Sequence, residues 1–442
     1  MGSSVDGLVS GMDTTSMIAS MIQVESQPKL MLQSKVATAK SAVSSYQSVN
    51  SKLSALKNAG DDLGQLSTWR SIKPTVSSTS VTATANGGTS TATGTVTFDV
   101  VSLAKAQANT ARVPTTGDIT AADSIQVAIG EADPVTIDIS QDKSAAGVAA
   151  AINNAGLSVK ASVVATSQGD SILQLNGTKT GAANSFTVAG LDELTIRTTT
   201  AASDANLQVG GADEDGGYSL TSDTNTFTGL MAGVTMTVSK IETGISLSSA
   251  SDVSGIAAKF KALVDAANGA LSEVSDQTAY DSSTNSSSPL TGDFMVRQMS
   301  QAILSNVSKG LSFKDPNDAT QTINFGSLSK LGVQLDKTGR LTFDAEKFTA
   351  AYNADPSSIK AAGIALGDSF ELLASKQSDN VISAITSRNN QVDSMNLQIG
   401  DWDVRLAAKK TALQRQYAGL ETALGKLKDQ SNWLSGQIAS LG

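Results

Sequence analysis

The sequence predicts an α+β multidomain protein, with long coiled-coil helices at both termini, a helical bundle stalk, and β-rich domains inserted distally. Three observations lead there. Helical periodicity occupies both ends of the chain, strand alternation with turn residues fills the middle, and an apolar residue recurs at every seventh position towards the C-terminus. In a chain of 442 residues this points to several domains rather than one core.

The elements follow in order. Asp13, Thr14 and Thr15 offer capping side chains for a short helix. Its apolar face is Met17, Ile18, Met21, Ile22 and Val24, and Pro28 is expected to end it. No proline lies between Pro28 and Pro74, and Leu32, Val36, Ala39, Val43, Tyr46, Leu53, Leu56 and Leu63 keep helical spacing, which predicts a long amphipathic helix. After Arg70 the texture becomes Thr, Ser, Val, Ala and Gly, and alternation over 80–84 and 94–100 predicts strands. Ile125 to Ile129 and Val135 to Ile139 read as a hairpin around Gly130 and Pro134. Ser144 to Ala155 reads as a helix closed by Asn154 and Gly156, and 159–165, 171–175 and 185–188 return to strand pattern. A further β segment covers 194–247.

From Ser251 the period is helical again. Val253, Ile256, Phe260, Leu263 and Val264 begin one helix and Phe294 to Val307 another, separated by the Ser-rich loop 281–288. A hairpin is expected around Asp336-Lys337-Thr338-Gly339, then a short helix capped by Asp344 that stops before Asp355-Pro356. No proline follows Pro356. Val392, Ile399, Leu406, Leu413, Leu420, Leu427, Leu434 and Leu441 form a heptad seam, flanked by Met395, Trp402, Tyr417, Leu424 and Ile438. A stripe at the very end of a chain has little left to pack on within one molecule, so the C-terminus reads as an assembly element. The order helix, β, helix is satisfied by a stalk that runs out, builds distal domains as an insertion and returns. Residues 1–35 and 390–442 are then the terminal coiled-coil helices, 36–70 and 252–389 the bundle with its hairpin, 71–110 and 195–251 a β-rich domain, and 111–194 a second, inserted one with one helix.

Composition narrows the function. Residues 71–251 hold 8 Lys and Arg against 16 Asp and Glu, and the remainder of the chain is nearly balanced at 24 against 25. An acidic middle argues against nucleic acid and against an anionic membrane surface, both of which need clustered basic residues. No apolar run of about eighteen residues is present, so no membrane insertion is expected. Residues 1–11 show neither a basic n-region nor an apolar h-region, so a conventional secretory signal is not expected and export would need a specialised route. Cysteine and histidine are absent, which removes disulfides and the commonest bases, nucleophiles and metal ligands.

The remaining candidates for chemistry are weak. Ser26 to Lys29, Ser327 to Lys330 and Ser357 to Lys360 match a serine-lysine spacing that a Ser-rich chain produces by chance. Asp213-Glu214-Asp215 lacks the ligand spacing of a calcium loop, and Gly425-Lys426 lies inside the heptad helix without a phosphate loop's glycine or strand. No catalytic residue, cofactor or metal is expected, and an enzyme is the least favoured reading.

Several segments resemble one family. Gly7-Leu8-Val9-Ser10-Gly11-Met12-Asp13, the apolar helix and Glu25-Ser26-Gln27-Pro28 resemble the N-terminal signature of flagellar filament cap proteins, the hook-associated protein 2 family. Gly229-Leu230-Met231-Ala232-Gly233-Val234-Thr235, Ser288-Pro289-Leu290-Thr291-Gly292-Asp293, and 331–344 are similar to its returning strand, its turn before a bundle helix and its C-terminal hairpin. Residues 136–188 resemble a module of flagellins and hook-associated proteins.

The resemblance implies a structural cap at the distal tip of the bacterial flagellar filament: secreted, extracellular, promoting ordered flagellin polymerisation and preventing flagellin loss. It implies a ring homo-oligomer, usually a pentamer, whose partners are flagellin, a flagellar export chaperone and the hook-filament junction protein, after type III export. The residues then expected to contact flagellin or neighbouring subunits are Leu8, Met12, Met17, Ile18, Met21 and Ile22 at one end. At the other they are Val392, Ile399, Leu406, Leu413, Tyr417, Leu420, Leu424, Leu427, Leu434 and Ile438. Gly400, Gly419, Gly425 and Gly436 would each weaken the last helix by up to about 1 kcal/mol, which suits legs that order on docking. The alternatives are a hook-filament junction protein, or a tip adhesin acting through the acidic β domains.

Overall fold

The computed structural model describes residues 11–439 except 88–90, 168, 212–215, 316–317 and 319. The chain divides into two compact units, one formed by Met1–Gly64 with Ala257–Gly442, the other by Gln65–Ile256.

The first unit is helical. Asp13 accepts the Ser16 N–H at 2.8 Å and so caps α1 (Thr14–Glu25). Ser26 closes α1, its N–H bonded to the Ile22 carbonyl at 2.9 Å and its hydroxyl donating to the Gln23 carbonyl at 2.7 Å. The expected break at Pro28 is displaced: α2 (Gln27–Gly64) already contains Pro28 in its first turn, where the missing N–H has no helical acceptor to lose. Two residues into the second unit, a four-residue turn, α3 (Leu66–Trp69), leads into the β region. The chain returns through α5 (Val253–Thr278), α6 (Phe294–Ser308) and α7 (Ala345–Ala354), followed by α8 (Pro356–Ala439) of 84 residues. At 1.5 Å per residue α8 is about 126 Å long.

Helices α2 and α8 run antiparallel. Lys29 pairs with Asp403, Ser378 donates to the Asn50 side-chain oxygen at 2.6 Å, and Lys57 lies 3.7 Å from Glu371. Between these ties Ala42, Tyr46, Val49 and Leu53 pack with Val274, Leu290, Val296, Met299 and Val381. Leu53, Leu56 and Leu63 are fully buried, each contributing about 1.5–3 kcal/mol of apolar burial. Towards Gly64 the two backbones come into near contact: a Cβ on Gly367 would lie 2.5 Å from the Gly64 nitrogen and 2.6 Å from the Gly60 oxygen. Only glycine on both helices allows that approach.

The hairpin Val333–Leu335 with Leu341–Phe343 forms as expected, its Asp336 carboxylate accepting from the Thr338 and Arg340 N–H groups. Phe343 stacks on Phe260, whose ring also meets Phe348 at 4.7 Å between centroids. A second hairpin, Leu311–Lys314 with Thr322–Gly326, was not among the expected elements, although Leu311-Ser312-Phe313-Lys314 and Thr322-Ile323-Asn324-Phe325 alternate apolar and polar residues.

The second unit has two cores, with every strand pair antiparallel. A five-stranded sheet, in the order 72–76, 242–251, 94–102, 205–209, 218–222, shares one core with a three-stranded sheet of 226–227, 234–238 and 81–85. Phe98, Leu207, Met236 and Leu247 lie at its centre. The other core lies among a four-stranded sheet (197–200, 108–113, 171–177, 159–165), a three-stranded sheet (135–138, 124–129, 186–189) and α4 (Ala145–Asn154). The expected hairpin pairs Ile125 with Ile137 and Val127 with Val135. Ser144 caps α4 by accepting the Gly147 N–H at 3.2 Å.

Candidate assembly surface on the terminal helices

The heptad seam of α8 changes character along its length. Val392 and Met395 are buried against Val36 and Ala39 of α2, with Leu32 and Ile399 packed around them. The Lys29–Asp403 pair marks where α2 gives out, because α2 begins at Gln27. Helix α1 packs on α8 beyond this point, burying its Thr14 and Ile18. Leu406 is 9% exposed, and Leu413, Tyr417 and Leu424 are half-buried. Past Gly425 every described residue of α8 is exposed. Exposure of the seam rises from 6% at Val392 to 45% at Leu420, 61% at Leu427 and 65% at Ile438, with Leu434 and Trp433 similarly open.

The expected contact residues therefore separate by environment. Ile18, Val392 and Leu406 serve the protomer's own core, and Ile22, Ile399, Leu413, Tyr417 and Leu424 are shared between it and solvent. Met12, Met17, Met21, Leu420, Leu427, Leu434 and Ile438 are exposed. Leu8 and Leu441 lie outside the described residues.

Two features of this surface escaped the sequence reading. Leu397, 75% exposed, and Val404 stand seven residues apart on α8 off the seam, while Leu30 and Met31 are exposed on α2. Tracking a second heptad phase would have found the α8 pair. Charge is also lopsided: Arg405, Lys409, Lys410, Arg415, Lys426 and Lys428 face only Glu421 as an acidic residue over 405–428. Counting charge over a larger region had averaged this basic flank away.

No group of three or more metal-ligating side chains occurs among the described residues. The Ser-Lys spacings do not form dyads. Ser26 donates to Gln23 and Lys29 pairs with Asp403. Lys330 donates to the Phe325 carbonyl at 2.9 Å, and Ser357 donates to Asp355. The acidic stretch 213–215 lies outside the described residues, and Gly425-Lys426 falls inside α8.

Six of the perturbed carboxylates belong to turns. Asp138, Asp142, Asp281, Asp318, Asp336 and Asp355 are held below the usual range by hydrogen bonds from Ser or Thr two or three residues on. One buried group stands apart. Tyr46 donates its phenol to Asp293, whose other oxygen caps α6 through the Val296 N–H at 3.2 Å. Burial, then this hydrogen bond and the Asp293 charge, push the Tyr46 phenol up to about 12. The Ser288 to Asp293 turn thereby joins α2 to α6.

Long paired helices that end in an exposed apolar stripe are the architecture of an assembly protein. Family models agree on which one. The flagellar hook-associated protein 2 N-terminus model matches residues 10–107 and the C-terminus model residues 202–429. The chain belongs to the flagellar hook-associated protein 2 family, the filament cap proteins. It is similar to flagellar hook-associated protein 2 of Escherichia coli K12, 26% identical over 98% of this chain and 97% of the relative. The lateral flagellar hook-associated protein 2 of Vibrio parahaemolyticus is 29% identical over 57% of this chain and 55% of that protein. A crystal structure of three domains of the Escherichia coli flagellar cap protein shares the fold, with a TM-score of 0.57 at 24% identity over 76% of this chain and 95% of that one. The chain is thus a structural part of the bacterial flagellum, capping the filament at its extracellular tip. Among the described residues no helix is long and apolar enough to cross a membrane.

Proposed function

We propose that the chain caps the filament as a ring, most simply of five copies, with 1–35 and 390–442 as legs that grip flagellin and neighbouring subunits. The bundle of 36–70 and 252–389 supports the legs, and the β-rich regions 71–110, 195–251 and 111–194 supply the plate of the cap. The observation that carries this reading is the seam of α8, buried at Val392 and Leu406, half-buried at Leu413 and exposed at Leu420, Leu427 and Leu434. Each large apolar residue covered there on docking supplies about 1.5–3 kcal/mol, enough to hold a subunit yet release it when contacts around the ring are inequivalent. The basic flank favours an acidic partner surface and makes docking salt-dependent. Before export the same stripe needs cover, the role of a cytoplasmic export chaperone. During assembly the ring first meets the hook-filament junction.

The test is complementation of a cap-less flagellated strain with the full chain and with a chain ending at Leu424. Full length alone should restore long filaments and retain flagellin. If the truncated chain restores both equally, the exposed turns are not the grip.

A further inference from the structure

Strand 159–165 is an edge of its four-stranded sheet, paired only with 171–177. Thr178 N–H donates to the Ser158 carbonyl and Thr166 N–H to the Asp170 carbonyl, both at 2.9 Å, so even-numbered residues of this strand bond inward. Odd-numbered residues turn their N–H and C=O outward. Ala161 is already satisfied: the Asn153 side chain on α4 donates to its carbonyl at 2.8 Å and accepts its N–H at 2.9 Å, as a neighbouring strand would. Val163 and Ala165 remain open at the edge, and Val163 and Val164 are 36% and 46% exposed. Natural sheets protect such an edge with charge, proline or a bulge. Here residues 161–167 carry none of these: the stretch has no charged residue or proline, and its pairing with 171–177 is regular.

We propose that this edge pairs with the same edge of a second copy, antiparallel about a two-fold axis at Val164. In that register Val163 of each copy faces Ala165 of the other and exchanges both backbone bonds. Four hydrogen bonds form, every open group is used, and Asn153 keeps Ala161. Ser162 lies opposite Thr166, hydroxyl to hydroxyl, and no like charges meet. The contact is isologous and closes on itself, so it joins two chains and does not propagate. A foreign strand would have to match the same short open stretch, whereas the copy does so by symmetry. Two residues per chain bury far less than the ~1,000 Å² of a stable interface, so the pairing is transient and grows with local concentration.

The chain lacks cysteine, so a single introduced thiol reports the contact. Val164 would face its own copy in a non-hydrogen-bonded pair with Cα atoms about 4.5 Å apart, within disulfide reach. Full-length Val164→Cys should form disulfide dimers at least about tenfold faster than Val135→Cys, a control of similar exposure at 43%, through raised effective concentration. Adding Val163→Pro removes the outward N–H without touching the bonds to 171–177, and should return the rate to the control's. Circular dichroism of the double variant verifies folding. Equal rates for Val164→Cys and Val135→Cys, or no effect of Val163→Pro in a folded chain, would overturn the proposal.

Discussion

Gly367→Ala is expected to loosen the stalk where α2 and α8 touch. The added Cβ would meet the Gly64 nitrogen at 2.5 Å and the Gly60 oxygen at 2.6 Å, both backbone atoms that no rotamer change can move. Comfortable contact needs about 3.5 Å, so the helices must part by about 1 Å, and a gap of that size forfeits a quarter to a half of each local dispersion contact. Overpacking of this kind costs about 1–3 kcal/mol, while alanine returns about 1 kcal/mol of helix propensity. The net expectation is a loss of about 1–2 kcal/mol. Gly400→Ala makes the same chemical change in the same helix with nothing within 4 Å of the new Cβ, and should gain up to about 1 kcal/mol. Denaturant unfolding of both variants, followed by helix circular dichroism, reads the difference directly. If Gly367→Ala matches Gly400→Ala in sign and size, the glycine contact does not constrain the stalk and the reasoning fails.

Other outcomes follow from the same geometry. Tyr46 has a folded-state pKa raised from 10.0 to about 12, so its contribution is complete below about pH 10 and is lost as pH climbs towards 12. Alkaline unfolding should flatten over that window in Tyr46→Phe, which should itself cost about 1–2 kcal/mol at neutral pH through the orphaned Asp293 oxygen. Asp281 runs the opposite way: its carboxyl, held at about 2 chiefly by the Ser283 and Thr284 hydroxyls, orders the 280–287 hairpin above about pH 4 and lets it go as pH falls towards 2. Hydrogen exchange of that hairpin against pH should show the loss, and Asp281→Ala should show it at neutral pH. Along α8, Leu434→Ser with Ile438→Ser should leave unfolding of the isolated chain within about 0.5 kcal/mol of the parent yet release flagellin into the medium. Leu406→Ala should instead destabilise the chain itself by about 2 kcal/mol, because its side chain is covered by the protomer.

Much of the architecture was legible because it rests on local signals. Asp13, Ser144 and Asp344 each precede a helical pattern and each caps the helix that follows, since capping needs only a side-chain oxygen and a nearby N–H. The hairpins at 124–138 and 333–343 followed from alternation and turn residues. Pro28 misled because proline is read as a stop, although in the first turn of a new helix it costs nothing. The hairpin at 311–326 was missed although Leu311 to Lys314 and Thr322 to Phe325 both alternate, a signal that a systematic search for period two would have found. Among the candidate contacts, periodicity identified a seam but could not say who covers it.

That last distinction separates what each level decided. By itself the sequence determined the element types, the two long amphipathic helices, the acidic β-rich middle and the family, since these depend on residue order alone. Only the tertiary structure decided which leucines of one unbroken heptad stripe belong to the protomer and which are left for a partner. The stripe is uniform in sequence, but its cover ends where α2 begins at Gln27 and where α1 stops reaching, and burial is a property of what lies opposite. In the same way Gly60, Gly64 and Gly367 look like weak points in their own helices, and only the approach of two backbones reveals why no side chain fits there.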